Sequence, residues 1–216
     1  MQMNEYLLSE LRKKCFDSNL ILELILQDLS LIRDLIYGIS SAEVRIRFKC
    51  TKILKELSKT KHELLYPYFD FFSRLLDNTN TIIKWNAIDI IANLTEIDTE
   101  RKFEEIFDKY YSLLDEGSLI TASHVVDNSG KIANVKHKLR KQITLHLLTA
   151  GRAPLPTEEC RSILCGKVIQ AFGQYIDHIK NDVAVIAFIN QQLNSHRKST
   201  RNKAENILRK ISEPPY

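Results

Sequence analysis

Apolar residues along this chain recur at spacings of three and four, and alternation with a period of two is nowhere sustained. That pattern predicts amphipathic helices throughout. Asn4 to Phe16 carries Tyr6, Leu7, Leu11 and Cys15 on one face of an opening helix. Asn19 is placed to cap a helix that reaches Tyr37 and stops at Gly38. Ser40 and Ser41 open the next helix, with Glu43 positioned after Ser40 as in a capping box. His62 to Leu76 pairs with Thr81 to Ile97 across the turn Asp77-Asn78-Thr79-Asn80. Thr99 caps a helix to Leu114, and the turn Asp115-Glu116-Gly117-Ser118 leads into a helix from about Leu119 to Val135. His137 to Thr149 ends at Gly151, and Pro154 and Pro156 mark the clearest loop. Thr157-Glu158-Glu159 begins a long helix through about His178. Asn181 or Asp182 opens another to Leu193, and Ser199 starts the last helix, which ends before Pro214-Pro215. No linker or low-complexity segment interrupts the chain, so residues 1–216 are expected to form one domain.

A short motif returns along the chain with a period of about 37 to 40 residues: an aliphatic residue or Thr, a basic residue, two variable residues, then a small or apolar one. It reads Ile46-Arg47-Phe48-Lys49-Cys50, then Ile83-Lys84-Trp85-Asn86-Ala87, and later Thr200-Arg201-Asn202-Lys203-Ala204. Each copy runs on into aliphatic positions such as Ile53, Leu54 and Leu57, or Ile90, Ile91 and Leu94. Such a period marks units that cannot bury their apolar faces alone and must stack on neighbours. The pattern resembles the HEAT and armadillo class of helical repeats, whose second helices begin in a similar way. Ile120-Thr121-Ala122 lacks the basic residue, and Cys160-Arg161-Ser162 keeps the Arg but leads into Cys165-Gly166. The resemblance implies an all-α fold: a right-handed α-α superhelix of about five helical hairpins whose second helices line a concave binding surface, usually without catalysis.

Composition narrows the class. With 6 Gly and 5 Pro, the chain has too few turn residues for an all-β protein. A net charge of +4 permits an acidic partner but falls short of the balance of a dedicated nucleic-acid binder. Cys15, Cys50, Cys160 and Cys165 sit inside apolar helical patterns, as small hydrophobes do. The start lacks a signal-peptide pattern, and the most apolar stretch, Leu20 to Tyr37, is broken by Glu23, Asp28, Arg33 and Asp34. A soluble, reduced, cytoplasmic protein without membrane contact is the simplest expectation.

The second helices leave polar faces over. At 100° per residue, Thr81 to Ile97 turns Ala87, Ile91 and Leu94 inward and sets Asn86, Asp89, Asn93 and Glu96 in a stripe opposite, flanked by Trp85. In the next second helix His124, Asp127, Asn128 and Lys131 project away from Ala122, Val125, Val126, Ser129, Ile132 and Ala133. In a regular stack the two clusters lie about 10 Å apart. Asn side chains there can pair with an extended peptide backbone, since each offers donors and an acceptor. Arg45, Lys49, Lys52, Lys55 and Lys59 form a basic ridge on the first of these helices, and Arg197, Lys198, Lys203, Arg209 and Lys210 make the last one basic. Basic ends around a neutral-to-acidic middle suit an acidic protein or peptide, with a nucleic-acid backbone second.

Catalytic readings find little support. Ser123, His124, Asp127 and Ser129 lie along one continuous helix, which offers neither a strained nucleophile nor an oxyanion hole. Cys160 and Cys165 are about 140° apart on a helix and cannot share an ion. Ser129-Gly130-Lys131 lacks the upstream Gly of a P-loop, so no cofactor or metal is expected. One enzymatic alternative stands. A family of alkylpurine DNA glycosylases built from HEAT-like repeats has a Trp-then-Asp spacing similar to Trp85 and Asp89, but it uses several aromatics and a basic wall. A structural module that self-associates through its opening helix is a third reading. The expectation is a non-catalytic scaffold in which Asp89→Ala with Asn128→Ala abolishes binding and His124 beside Asp127 makes it pH-dependent.

Overall fold

The computed structural model describes residues 3–212, and the regular elements among them are helical. Two compact units divide the chain, Met1–Glu104 and Glu105–Tyr216.

In the first unit, Asn4 caps α1 (Glu5–Arg12) by accepting a hydrogen bond from the Leu7 amide. The next helix starts from Asp17, not Asn19: the Asp17 carboxylate accepts from the Asn19 and Leu20 amides and opens α2 (Ser18–Gln27). The single helix expected up to Tyr37 is broken at Asp28. That residue turns extended, and its carboxylate takes the Ser30 amide at 2.9 Å before α3 (Leu31–Gly38) begins. Asp competes with helix in this way by bonding its own downstream backbone.

The capping box expected at Ser40 and Glu43 does not form. Ser41 Oγ accepts from the Glu43 amide, and the Glu43 carboxylate turns instead to Arg12, 2.6 Å away. α4 (Val44–Thr60) follows. Pro67 then splits the expected His62 to Leu76 helix into α5 (His62–Leu65), a 3-10 turn at Tyr66–Tyr68 and α6 (Phe69–Arg74). α7 (Thr81–Leu94) is capped by Asn80 and tightens into a 3-10 turn at Thr95–Ile97. α8 (Lys102–Glu105) starts from Asp98 and not Thr99, with the Asp98 carboxylate accepting from the Lys102 and Phe103 amides. α4 is the centre of the unit, packed by α1, α2, α3, α5 and α7.

The second unit holds α9 (Phe107–Ser112), α10 (Leu119–Val135), α11 (Arg140–Ala150), α12 (Glu158–Gly173), α13 (Val183–Gln191) and α14 (Lys198–Ser212). Pro214-Pro215 lies outside the described residues. α10 packs on α12 and α12 on α14, while α11 touches α12 and α13. Gly117, at φ 76°, makes the left-handed turn into α10 that L-residues resist.

The recurrent motif now has a physical meaning. Its first and last positions, one helical turn apart, both face the core: Ile46 with Cys50, Ile83 with Ala87, and Thr200 with Ala204 are all buried. In two copies the basic second position ties down the loop before the helix. Arg201 donates to the Ser195 and His196 carbonyls, and Arg161 donates to Leu155 at the same six-residue separation. In the copy without a basic residue the inward positions are Thr121 and Val125, and Ile120 stands exposed. Polar links across 35 to 40 residues join packed helices: Asn93 to Ser58 at 35, Thr200 to the Ser162 carbonyl at 38, and Asn134 to the Gln174 carbonyl at 40. Among the described residues no helix is long and apolar enough to cross a membrane.

Candidate functional site

The stripe on α7 is drawn into the packing of the first unit. The Asn86 amide bonds back to the Ile82 carbonyl at 2.7 Å. Asp89 is largely covered and lies 3.1 Å from the Lys55 ammonium. Asn93 is buried and donates to Ser58 Oγ at 2.7 Å, so it helps hold α7 to α4 and does not stand on an open surface. Glu96, exposed in the 3-10 turn that follows, sits 3.3 Å from His62 Nε2.

The basic ridge is dispersed in the same way. Arg45 is exposed and donates to the Arg12 carbonyl. Lys49 departs from the expected exposed position: it is buried, and its ammonium donates to the Leu11 and Lys13 carbonyls that end α1. Burial, and then the charge of Arg45, holds its pKa below the ordinary lysine value. Lys52 is exposed, 5.7 Å from the Phe16 ring centre, and Lys59 pairs with Glu56 on its own helix. Cys15 is exposed, unlike buried Cys50 and Cys165.

In the second unit the α10 cluster faces its neighbour α12. Asp127 is bound by Lys167 at 2.6 Å, and Asn128 donates to the His124 carbonyl. Ser129 is buried, donating to the Val125 carbonyl and accepting from the Tyr111 hydroxyl. Lys131 is half-buried on the same helix.

Between α12 and α14 lies a groove of about 430 Å³. Gln170 and Gln174 line one wall, Lys203, Asn206 and Lys210 the other, over Ile169, Gly173 and Ile207. Lys203 donates to Gln170 Oε1 at 2.9 Å. Its pKa is held below the ordinary lysine value, first by partial burial, then by the charges of Lys167 and Arg197, with Asp127 opposing. Gln170, Gln174 and Asn206 were not among the residues the sequence pointed to. Their signal was present as the i, i+3, i+7 spacings Lys167/Gln170/Gln174 and Lys203/Asn206/Lys210, each of which holds one face of a helix.

This is an all-α protein. The chain is similar to a crystallographically solved engineered protein, a Northeast Structural Genomics Consortium target. The TM-score is 0.53 at 14% identity, over 98% of this chain and 97% of that one, a likeness of fold. No protein-family profile matches the chain. No curated protein matches it either.

Proposed function

We propose that the chain is a non-catalytic scaffold of the HEAT-like solenoid class, binding an acidic protein or peptide segment on the outward faces of its second helices. The observation that carries this reading is how the acids of those faces are used. Asp89 is engaged by Lys55 and Asp127 by Lys167, each from an adjacent helix. Beside those paired acids, the ammonium groups of Lys52 and Lys210 and the amides of Gln170 and Asn206 stand exposed. Amides suit a peptide backbone and ammonium groups suit acidic side chains. The glycosylase alternative asks Asp89 to act on a base, and the Lys55 ammonium already occupies that carboxylate.

An NMR titration of the labelled protein with a polyglutamate peptide tests the reading. Shifts confined to the polar faces of α4 and α7, or of α10, α12 and α14, are expected. An unchanged spectrum at millimolar peptide in low salt sinks it. Duplex DNA, intact and alkylated, is the comparison arm: preferential, salt-sensitive binding of the alkylated duplex replaces the scaffold by the glycosylase.

A further inference from the structure

Lys203 and Lys210 stand on one wall of the groove between α12 and α14. Seven residues of helix separate them by about 10.5 Å along the axis. A peptide in the polyproline II form advances about 3.1 Å per residue with three residues per turn, so its side chains i and i+3 share one face about 9 Å apart. The two spacings are close. Between the lysines the walls present the amides of Gln170 and Asn206, and among the described residues no carboxylate lines the groove. Asp127, whose field reaches Lys203, is bound by Lys167. Lys203 is half-covered, and its ammonium donates to a neutral amide, Gln170 Oε1.

On the scaffold reading above, we infer that this groove anchors an extended acidic peptide through two carboxylate side chains three residues apart, one on Lys203 and one on Lys210. The backbone between them pairs with the amides of Gln170 and Asn206. Gly173 keeps the floor low: a Cβ there would meet Ile207 Cδ1 at 3.1 Å.

The experiment is fluorescence anisotropy on the full 216-residue chain with labelled peptides of matched composition. Their two glutamates are placed at i and i+2, i and i+3, or i and i+6, with a diglutamine peptide as control. The i, i+3 peptide should bind tightest, and Lys203→Gln or Lys210→Gln should each weaken it by about five- to tenfold, as loss of one partner of a charge pair does. Lys203→Glu should recover affinity for the peptide whose first glutamate is replaced by lysine. Circular-dichroism melts accompany each variant. If Lys203→Gln does not fold, exposed Lys210→Gln and the spacing series decide. Equal affinity at all spacings, or binding indifferent to both lysine variants, overturns the anchor while leaving an acidic-peptide scaffold intact. No acidic peptide binding at all overturns both.

Discussion

At the scale of single residues, several side chains that look available for binding are engaged in holding helices together, and their removal should be read in stability. Asn93→Ala deletes the donor to Ser58 across the α4–α7 contact and should cost about 1–3 kcal/mol in urea denaturation, as loss of a buried hydrogen bond does. A cost near zero would return Asn93 to the list of surface groups. Asp127→Asn has the opposite use: it releases Lys167 into the second-unit face and should tighten acidic-peptide binding about two- to fivefold. Weaker binding would place Asp127 among the contacts themselves.

His146 contributes a pH dependence to stability. Its ring stacks on Tyr111 at 4.9 Å with Phe107 at 5.5 Å, and burial holds its pKa below the ordinary imidazole value against the opposing pull of Asp108 and Asp115. The unfolded chain then takes a proton that the folded protein refuses, so stability falls as pH drops below about 6.5. His146→Phe should flatten part of the fall in Tm between about pH 7.5 and 5.5, and parallel curves for the two proteins would remove His146 from the account.

At the scale of elements, the glycines decide how closely the second helices approach. A Cβ on Gly130 would lie 2.8 Å from the Ala171 carbonyl, backbone that cannot step aside. Gly130→Ala gains about 1 kcal/mol of helix propensity but over-packs the α10–α12 crossing by about 1–3 kcal/mol, so net destabilisation is expected. At Gly173 the obstacle is only the flexible end of Ile207, so Gly173→Ala should be neutral or mildly stabilising. Thermal melts of the pair test this, and the same sign for both variants would show that helix separation is not set by these contacts. The elements also show where local chemistry overrides periodicity. The pattern through Leu20 to Tyr37 is continuous, yet Asp28 finds the Ser30 amide and the helix parts there. The caps likewise fall at Asp17, two residues before Asn19, and at Asp98, one before Thr99. A neighbouring Asn or Thr satisfies the same capping rule, and only the backbone path says which side chain reaches the amides.

At the scale of the whole molecule, charge sets the behaviour. The net charge is +4, and acids such as Asp89, Asp127 and Glu159 are spent on internal partners Lys55, Lys167 and Arg197. Acidic-peptide affinity should therefore weaken steadily as salt rises from about 0.05 to 0.5 M, over which the Debye length shrinks well below the groove's own dimensions. Affinity indifferent to salt would point to apolar contacts and away from the lysines.

The amino-acid sequence by itself determined the helical class, the repeated motif and helices such as α7, α10 and α12, because apolar period and turn chemistry are local properties. It could not determine which polar residues stay available, because that depends on what the adjacent helix presents. Asn93 and Lys49 lie on polar-looking arcs of their own helices, and both are covered because Ser58 and the end of α1 arrive beside them. The groove between α12 and α14 exists for the same reason. Two faces spaced i, i+3, i+7 were legible one at a time, and only tertiary packing set them opposite each other.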